Sequence, residues 1–433
     1  MLNKIDLLMD KGVKMPIPES VFIADDVDPE RISGERVIFY PGTRIMGRDT
    51  LIMAGTTLGF EGPVTLDNVF VGRETRLNGG FFQGCVFAGN NIFGAGAHVR
   101  GGTIMEECAN AAHTVGLKQT ILFPFVTLGS LINFCDCLMA GGTSRKDHSE
   151  VGSSFIHFNY TPNQDKATPS MFGNVSEGVV LKSRPVFLGG QGGVVGPCRL
   201  PFGSVTAAGT IWRKDITEPD RLMFGGGMRE TVLERKLGVY SNVKRIFRNN
   251  ILYIAGLVSL MSWYLHIRPL FLNGLVSLDT QILPESDLLS KYLLVGMQQT
   301  LESAIDERIN RLDDFVRRLH KSREIILSGK GGKITPLVEE HDAVIHGWPS
   351  AQNTLENTIA VMKKSNQINA TKTLTKIFIT PPELFVSAIK NGIKEHGAEY
   401  VRVIQNLDTA TAQLGIYWLK SIEANICNKI EFL

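Results

Sequence analysis

The sequence of 433 residues has few features of a secreted or nucleic-acid-binding protein. Its six cysteines lack the regular spacing of a disulfide framework, which favours reduced thiols and a cytoplasmic location. The 45 Lys and Arg residues nearly balance the 43 Asp and Glu residues, so no broad positive surface for nucleic acid is expected. The opening residues, MLNKIDLLMDKGVK, lack the apolar stretch of a secretory signal.

Long hydrophobic runs are also scarce. The longest uncharged apolar run covers residues 251–265 and is shorter than the roughly 20 residues that span a bilayer. We therefore expect no transmembrane segment. Because the run is apolar on all sides, it predicts a buried helix, and a helix lying on a membrane surface is the alternative.

Glycine is abundant, with 44 residues, and most of it lies before residue 230. The chain therefore combines a turn-rich half with a glycine-poor half. We expect an N-terminal helix and lead-in over residues 1–19 and a repeat domain over 20–216. A linker over 217–243 and a helical bundle over 244–433 follow.

Apolar residues recur about every six positions in the first half, with glycines between them. This spacing is neither the 3.6 period of a helix nor the 2.0 period of an ordinary strand. It is typical of a solenoid whose coils have three short flat sides, with small residues at the corners. Residues 78–149 are also rich in small residues, but the six-residue repeats (hexads) are irregular there. The recurring residues, at spacings of six or seven, are Ile45, Leu51, Leu58, Val64, Val71 and Leu77. The six-residue spacing returns at Leu200, Thr206 and Trp212.

Residues 167–184 interrupt the repeat and predict a loop insertion. Such a loop either covers the cleft between neighbouring coils or is a surface loop without a function.

The second half follows a helical period. Apolar residues that step by three and four predict one long amphipathic helix over residues 284–327. Residues 335–366 and 381–428 repeat the pattern, so we expect an all-α bundle of roughly five helices.

Segments between residues 150 and 216 carry a resemblance to a known family. These segments are FNYTPNQDK, PVFLGG, VVGP, GSVTAAGT and RKDI, in chain order. Together they resemble the end of the β-helix in bifunctional N-acetylglucosamine-1-phosphate uridylyltransferase/glucosamine-1-phosphate acetyltransferase. The resemblance covers roughly residues 5–216. It implies a left-handed parallel β-helix of the hexapeptide-repeat acyltransferase superfamily. It also implies a homotrimer with active sites between subunits, acetyl-CoA or another acyl-CoA as cofactor, and a sugar phosphate or nucleotide sugar as ligand.

The polar segment that contains Asn159, Tyr160 and Lys166 resembles the family's acceptor-binding segment. An ammonium group can pair with phosphate, and an aromatic ring can stack on a sugar. Lys166 stands one place earlier than the family lysine, and NYTPN is equally typical of a plain turn. Arg145 stands where the family has a tyrosine and is a further candidate for substrate binding.

Small residues of successive coils resemble the family's surface for the pantetheine arm of CoA. Gly190, Ala207 and Ala208 are the candidates, and Arg213 and Lys214 lie where cations meet the CoA phosphates. The corners of any β-helix need small residues, however, and the two cations are equally consistent with a solvent-exposed end.

The family's catalytic histidine has no counterpart, because its position falls on Gly142. His148, which has acidic and basic neighbours, is our first candidate for the general base, and His157 is the second. His113 is the third histidine of the repeat domain that could serve as the base. A lone histidine is more often a structural hydrogen-bonding residue than a catalyst.

Two other functions are disfavoured. The histidines and the Cys135-x-Cys137 pair suggest zinc, but their spacings do not match those of β-helix carbonic anhydrases, so no metal is expected. PGTRIM at residues 41–46 resembles the nucleotide loop of the uridylyltransferase. It lies within the repeats rather than in a strand–helix unit, so no nucleotidyltransferase domain is expected.

Two hypotheses remain open. The first is an acyltransferase-like protein that binds a sugar phosphate or nucleotide sugar and transfers an acyl group from CoA. The alternative is a non-catalytic trimeric scaffold or sugar-nucleotide-binding protein whose helical domain binds a protein partner.

Overall fold

The computed structural model describes residues 4–156, 166–225, 230, 232, 236–273, 285–329, 332–365 and 380–430. The first half is a solenoid of parallel strands, and the second half is a group of helices that packs along one side of it. The predicted parallel β-helix followed by an all-α bundle is confirmed.

The coils contribute short strands to three parallel columns, which we call faces 1, 2 and 3 in the order that the chain visits them. Face 1 contains β1 (Phe22–Ile23), β3 (Arg44–Met46), β6 (Val64–Asp67), β9 (Gly80–Gln83), β12 (Ala97–Val99), the first halves of β15 (Val115–Leu122) and β17 (Ile132–Met139), β21 (Ser154–Ile156), β24 (Gly192–Val194) and β27 (Ile211–Trp212). Face 2 contains β4 (Leu51–Ile52), β7 (Phe70–Val71), β10 (Cys85–Phe87), β13 (Thr103–Met105), the second halves of β15 and β17, β22 (Ser170–Phe172) and β25 (Arg199–Leu200). Face 3 contains β2 (Ile38–Phe39), β5 (Thr57–Leu58), β8 (Arg76–Leu77), β11 (Ile92–Phe93), β14 (Asn110–Ala111), β16 (Thr127–Leu128), β20 (Glu150–Val151), β23 (Phe187–Leu188), β26 (Val205–Thr206) and β28 (Leu222–Met223). β18 (Gly142–Ser144) and β19 (Asp147–His148) form a separate antiparallel hairpin.

The six-residue period follows from this geometry. Successive side chains of a strand point to opposite sides, so a two-residue strand sends one side chain inward before the chain turns. Residues of equal position stack from coil to coil, as Leu58 does on Leu77, and both are fully buried. The hexad interpretation is confirmed.

The solenoid continues through residues 78–149, where the hexads are irregular. Aromatic side chains fill the interior there. Phe87 packs edge-on against Phe82 and Phe93, with ring centroids 5.6 and 5.2 Å apart, and all three rings are fully buried. Large rings that fill the core replace the regularly spaced aliphatic side chains. This explains why the six-residue period is weak in this region.

The segment 167–184 is not a surface loop. It contains β22, which belongs to face 2, and a short helix α2 (Val175–Gly178). Ala167, Phe172 and Val179 are buried. The solenoid also extends past residue 216, because β28 pairs with β26.

In addition to α2, the structure describes the helices α1 (Lys4–Asp10), α3 (Val243–His266), α4 (Leu270–Asn273), α5 (Glu285–Gly329), α6 (Pro336–Ser365), α7 (Glu383–His396), α8 (Tyr400–Asn406) and α9 (Thr409–Cys427). Single 3₁₀ turns lie at Pro18–Ser20 and Pro29–Arg31. α5 and α6 match the helices predicted over 284–327 and 335–366. The helical pattern over 381–428 is divided among α7, α8 and α9. Gly397, with φ of 78°, follows the last residue of α7, and the Asp408 carboxylate caps α9 by accepting from the Thr411 N–H.

Helix α3 contains the apolar run. The stretch Val243–Leu272 is long and apolar enough to cross a membrane by length and composition, yet 78% of its most apolar 18-residue window is buried within the protein. Its neighbours are α5, α6 and α9. This burial agrees with the predicted core helix.

The bundle packs against face 2. α5 contacts β4, β7, β10 and β13, and α3 contacts β22. A buried ion pair joins Arg308 of α5 to Asp136 of the solenoid, with Nη2 3.1 Å from Oδ1. Faces 1 and 3 keep exposed apolar side chains, namely Phe22, Phe155 and Ile211 on face 1 and Ile92, Phe187 and Leu222 on face 3.

Candidate functional site

The candidate residues that the structure describes are distributed over three corners of the solenoid. We name each corner by the faces that it joins. Arg145 and His148 lie at corner 2–3, Gly190, Ala207 and Ala208 at corner 3–1, and Lys166, Arg213 and Lys214 at corner 1–2. His157, Asn159 and Tyr160 lie outside the described residues. A single chain therefore does not gather the described candidates into one pocket.

The hairpin of β18 and β19 carries His148 at corner 2–3. Gly142, the position of the family's histidine, pairs with His148 across the hairpin and has φ of 101°. A Cβ atom at Gly142 would lie 2.5 Å from the Cα of His148. This position therefore has no room for a side chain, and the family's base is excluded by backbone packing as well as by sequence.

His148 is half-buried and faces a carboxylate. Its Nε2 lies 4.0 Å from Oε2 of Glu150, the first residue of β20. Its Nδ1 is buried and has no hydrogen-bond partner among the described residues. A ligand can therefore not reach the Nδ1 atom of His148 directly.

Arg145 joins neighbouring coils. Its Nη1 donates to the carbonyl oxygens of Cys108 and Phe125, at 2.9 and 3.2 Å, and to the Thr127 hydroxyl at 3.1 Å. These bonds fix the hairpin against the two preceding coils. One guanidinium nitrogen is thus already used in holding the fold.

Corner 3–1 shows which small residues the fold requires. A Cβ atom at Gly189 would lie 2.5 Å from the Thr206 carbonyl oxygen, so coil stacking requires glycine there. Gly190 is not crowded, since its nearest atom would be the Ser153 nitrogen at 3.5 Å. Ala208, one coil further, is exposed. Within the described parts of the chain, the N–H groups of Gly190 and Ala208 have no partner. Two backbone donors are therefore available at this corner.

Corner 1–2 collects cations. Lys166 is half-buried and follows the face 1 strand β21, and Arg213 follows β27, two coils away. With strands about 4.8 Å apart, the two positions are separated by roughly 10 Å along the solenoid. Arg213 Nη1 donates to the Ile211 carbonyl at 3.2 Å, and its Nε is buried without a partner among the described residues. The Lys214 side chain is exposed. Such a corner suits phosphate groups.

The two thiols considered as metal ligands do not share a strand face. Asp136, with φ of 52°, turns the chain between Cys135 on face 1 and Cys137 on face 2. Burial raises the pKa of the Cys137 thiol well above its ordinary value, which disfavours the thiolate that binds metals. Among the described residues, no group of three or more His, Cys, Asp or Glu side chains could hold a metal ion. His113 is exposed at corner 3–1, next to Thr114.

A buried polar cluster at corner 2–3 was not predicted from the sequence. Tyr264 donates to Glu106 at 2.5 Å, and Arg268 Nη2 donates to Glu107 at 2.9 Å. The Arg268 guanidinium also lies 3.4 Å from the centre of the Tyr400 ring. Burial raises the pKa of Glu106 to about 7. The adjacent glutamates in the apolar context TIMEECA were the available signal, but their partners lie about 160 residues away.

The parallel three-faced solenoid with small-residue corners fits a hexapeptide-repeat acetyltransferase-like domain. No family model matches the chain. A curated relative is the Bifunctional protein GlmU of Clavibacter sepedonicus, which is 26% identical over 205 residues. The match covers 47% of this chain and 36% of that protein, so the chain spans about a third of its relative's length. The resemblance inferred from the residues is confirmed at this level.

Proposed function

We propose that the protein is a hexapeptide-repeat acyltransferase that binds a sugar phosphate or nucleotide sugar and transfers an acetyl or other acyl group from CoA. The observation that carries the proposal is the pair of N–H groups at Gly190 and Ala208, which have no partner among the described residues, on a solenoid similar in sequence to GlmU. Backbone donors of this kind bind amide groups, such as those of a pantetheine arm, without a charged side chain.

The proposed chemistry uses His148 as the general base. Its Nε2 accepts the proton of the attacking amine, and the Glu150 carboxylate 4.0 Å away stabilises the resulting imidazolium. A bound acyl-CoA supplies the acyl group as a thioester. The new C–N bond forms as the C–S bond breaks, and His148 returns the proton to the departing thiolate. Lys166, Arg213 and Lys214 would pair with phosphate groups, and Asn159 and Tyr160 would contact the sugar.

Because the described candidate residues lie at three corners of one chain, the proposal requires neighbouring chains to complete each site. We propose a homotrimer that assembles through faces 1 and 3, since the helical bundle covers face 2. The exposed Phe155 on face 1, with 61% of its surface accessible, is a candidate contact. Sedimentation equilibrium should give three times the chain mass, and Phe155→Glu should lower it. A monomeric wild-type chain would contradict the proposed assembly.

The activity test uses the full chain with acetyl-CoA and glucosamine 1-phosphate, and follows the release of free CoA. His148→Ala should abolish release, and the exposed His113→Ala is the matched control that should leave it unchanged. If His157→Ala abolishes release and His148→Ala does not, the base is His157. No CoA binding by calorimetry at millimolar ligand would contradict acyl transfer.

A second candidate function is a non-catalytic scaffold that binds a nucleotide sugar. The observation that favours it is the close backbone packing at Gly142, which leaves no room for a catalytic side chain there. Binding of a nucleotide sugar without any binding of CoA would support the scaffold. In both cases we propose a cytoplasmic protein that does not bind nucleic acid, with the helical bundle as the surface for a possible protein partner.

A further inference from the structure

A cavity of about 680 Å³ lies between corner 2–3 of the solenoid and the helices α5 and α8. This volume is within the range of small-molecule sites. Leu293, Leu294 and Met297 of α5 supply an apolar wall. Among the described residues, those proposed for acyl transfer do not line this cavity.

Three guanidinium groups line the cavity from three separate elements. They belong to Arg73 of the solenoid, Arg268 after α3 and Arg402 of α8. Within the described residues, the guanidinium groups of Arg73 and Arg402 have no hydrogen-bond or ion-pair partner. Two unpaired cations on different elements of one cavity are a recognition feature for an anion.

Arg268 adds a buried and incompletely satisfied donor. Its side chain is only 6% exposed, and its Nη atoms are held by Glu106 and Glu107. Its Nε is buried without a hydrogen-bond partner among the described residues. A buried N–H group without a partner is costly, so the cavity wall is not fully satisfied in its polar contacts at Arg268.

Carboxylates also line the cavity, and they limit the class of ligand. Glu107 is engaged by Arg268, while Asp287 and Glu399 lie on the helical side. The lining is therefore not uniformly cationic, and a highly charged anion such as a polyphosphate is disfavoured. A ligand with one anionic group fits better.

We propose that this cavity binds a small amphipathic molecule with one carboxylate or phosphate group and an apolar tail. The anionic group pairs with Arg73 and Arg402, and the tail packs on Leu293, Leu294 and Met297. The site is independent of the proposed acyl transfer, so either can fail without the other.

The test is calorimetry on the full chain with decanoate, decyl phosphate and the uncharged decanol. Decanoate or decyl phosphate should bind, and the tighter of the two identifies the preferred anion. Decanol should bind about tenfold more weakly or not at all. Arg73→Gln and Arg402→Gln should each weaken binding of the anion about tenfold, because each removes one charged hydrogen bond.

Arg48→Gln is the matched control, since Arg48 is an exposed solenoid arginine outside the cavity. It should leave binding unchanged. A second variant, Leu293→Trp, fills the apolar end and should weaken both anions with the arginines intact. Equal affinity for decanol and decanoate, or an unaltered affinity in the Arg73→Gln/Arg402→Gln double variant, would overturn the proposal.

Discussion

The Tyr264 hydroxyl in α3 donates a hydrogen bond of 2.5 Å to Oε1 of Glu106 in the solenoid. Both side chains are buried, and the second carboxylate oxygen lies 3.3 Å from Arg268 Nη2. The two halves of the chain are therefore joined by polar groups away from water, where the loss of one partner leaves another unsatisfied.

Tyr264→Phe should lower the free energy of unfolding by about 1–3 kcal/mol, because it removes a donor from a buried carboxyl group. Urea denaturation followed by circular dichroism measures the change. The exposed Tyr417→Phe removes the same hydroxyl from the surface of α9 and should have little effect. Equal effects of the two variants would show that the Glu106 contact is not stabilising.

The buried ion pair of Asp136 and Arg308 should behave as a coupled pair. Asp136→Asn leaves a buried guanidinium, and Arg308→Met leaves a buried carboxylate. Each variant should therefore lower the free energy of unfolding by about 3 kcal/mol. The double variant should cost clearly less than the sum. Chemical denaturation of all four proteins gives the coupling free energy, and strict additivity would contradict a direct interaction. Arg317→Met, on the exposed side of α5, is the control.

Glu423 of α9 predicts a pH dependence of stability. Its carboxylate accepts from the Ser259 hydroxyl at 2.9 Å, and burial raises its pKa from 4.5 to about 7. The folded state therefore binds this proton more tightly than the unfolded state does. The contribution of Glu423 to stability should fall as pH rises from about 4.5 to about 7.

Glu423→Gln removes the titrating group but keeps its shape. Its free energy of unfolding, measured in urea from pH 4 to 8, should vary less with pH in this window than that of the wild type. Glu356→Gln, at an exposed position of α6, should keep the wild-type slope. The prediction fails if Glu423→Gln and the wild type have parallel pH profiles.

Gly189→Ala should destabilise the solenoid by about 1–3 kcal/mol. The added methyl group would lie 2.5 Å from the Thr206 carbonyl oxygen of the next coil, and backbone atoms cannot easily move aside. Gly62→Ala is the matched control, because no atom lies within 4 Å of its added Cβ. It should be neutral or slightly stabilising. Thermal unfolding of both variants measures the difference.

Sequence patterns predicted α5 and α6 well but misjudged the end of the chain. A continuous helical period over 381–428 does not reveal that Gly397 and the Asp408 cap divide it into three helices. Similarly, the polar and glycine-containing segment 167–184 indicated a loop, while Phe172 and Val179 are buried. Its burial depends on α3 and α9, which follow much later in the chain.

The sequence by itself determined the solenoid, because a coil needs one inward apolar residue and one small corner residue per hexad, and each is visible locally. The resemblance inferred from it also predicted that Gly142 stands where the similar enzymes have a histidine. Only the tertiary structure decided where the candidate residues lie, since the number of residues in each turn assigns His148, Gly190 and Lys166 to different corners. The contact of the bundle with face 2 was likewise beyond the sequence. It rests on pairs such as Glu106–Tyr264 and Asp136–Arg308, whose partners are more than 150 residues apart and follow no period.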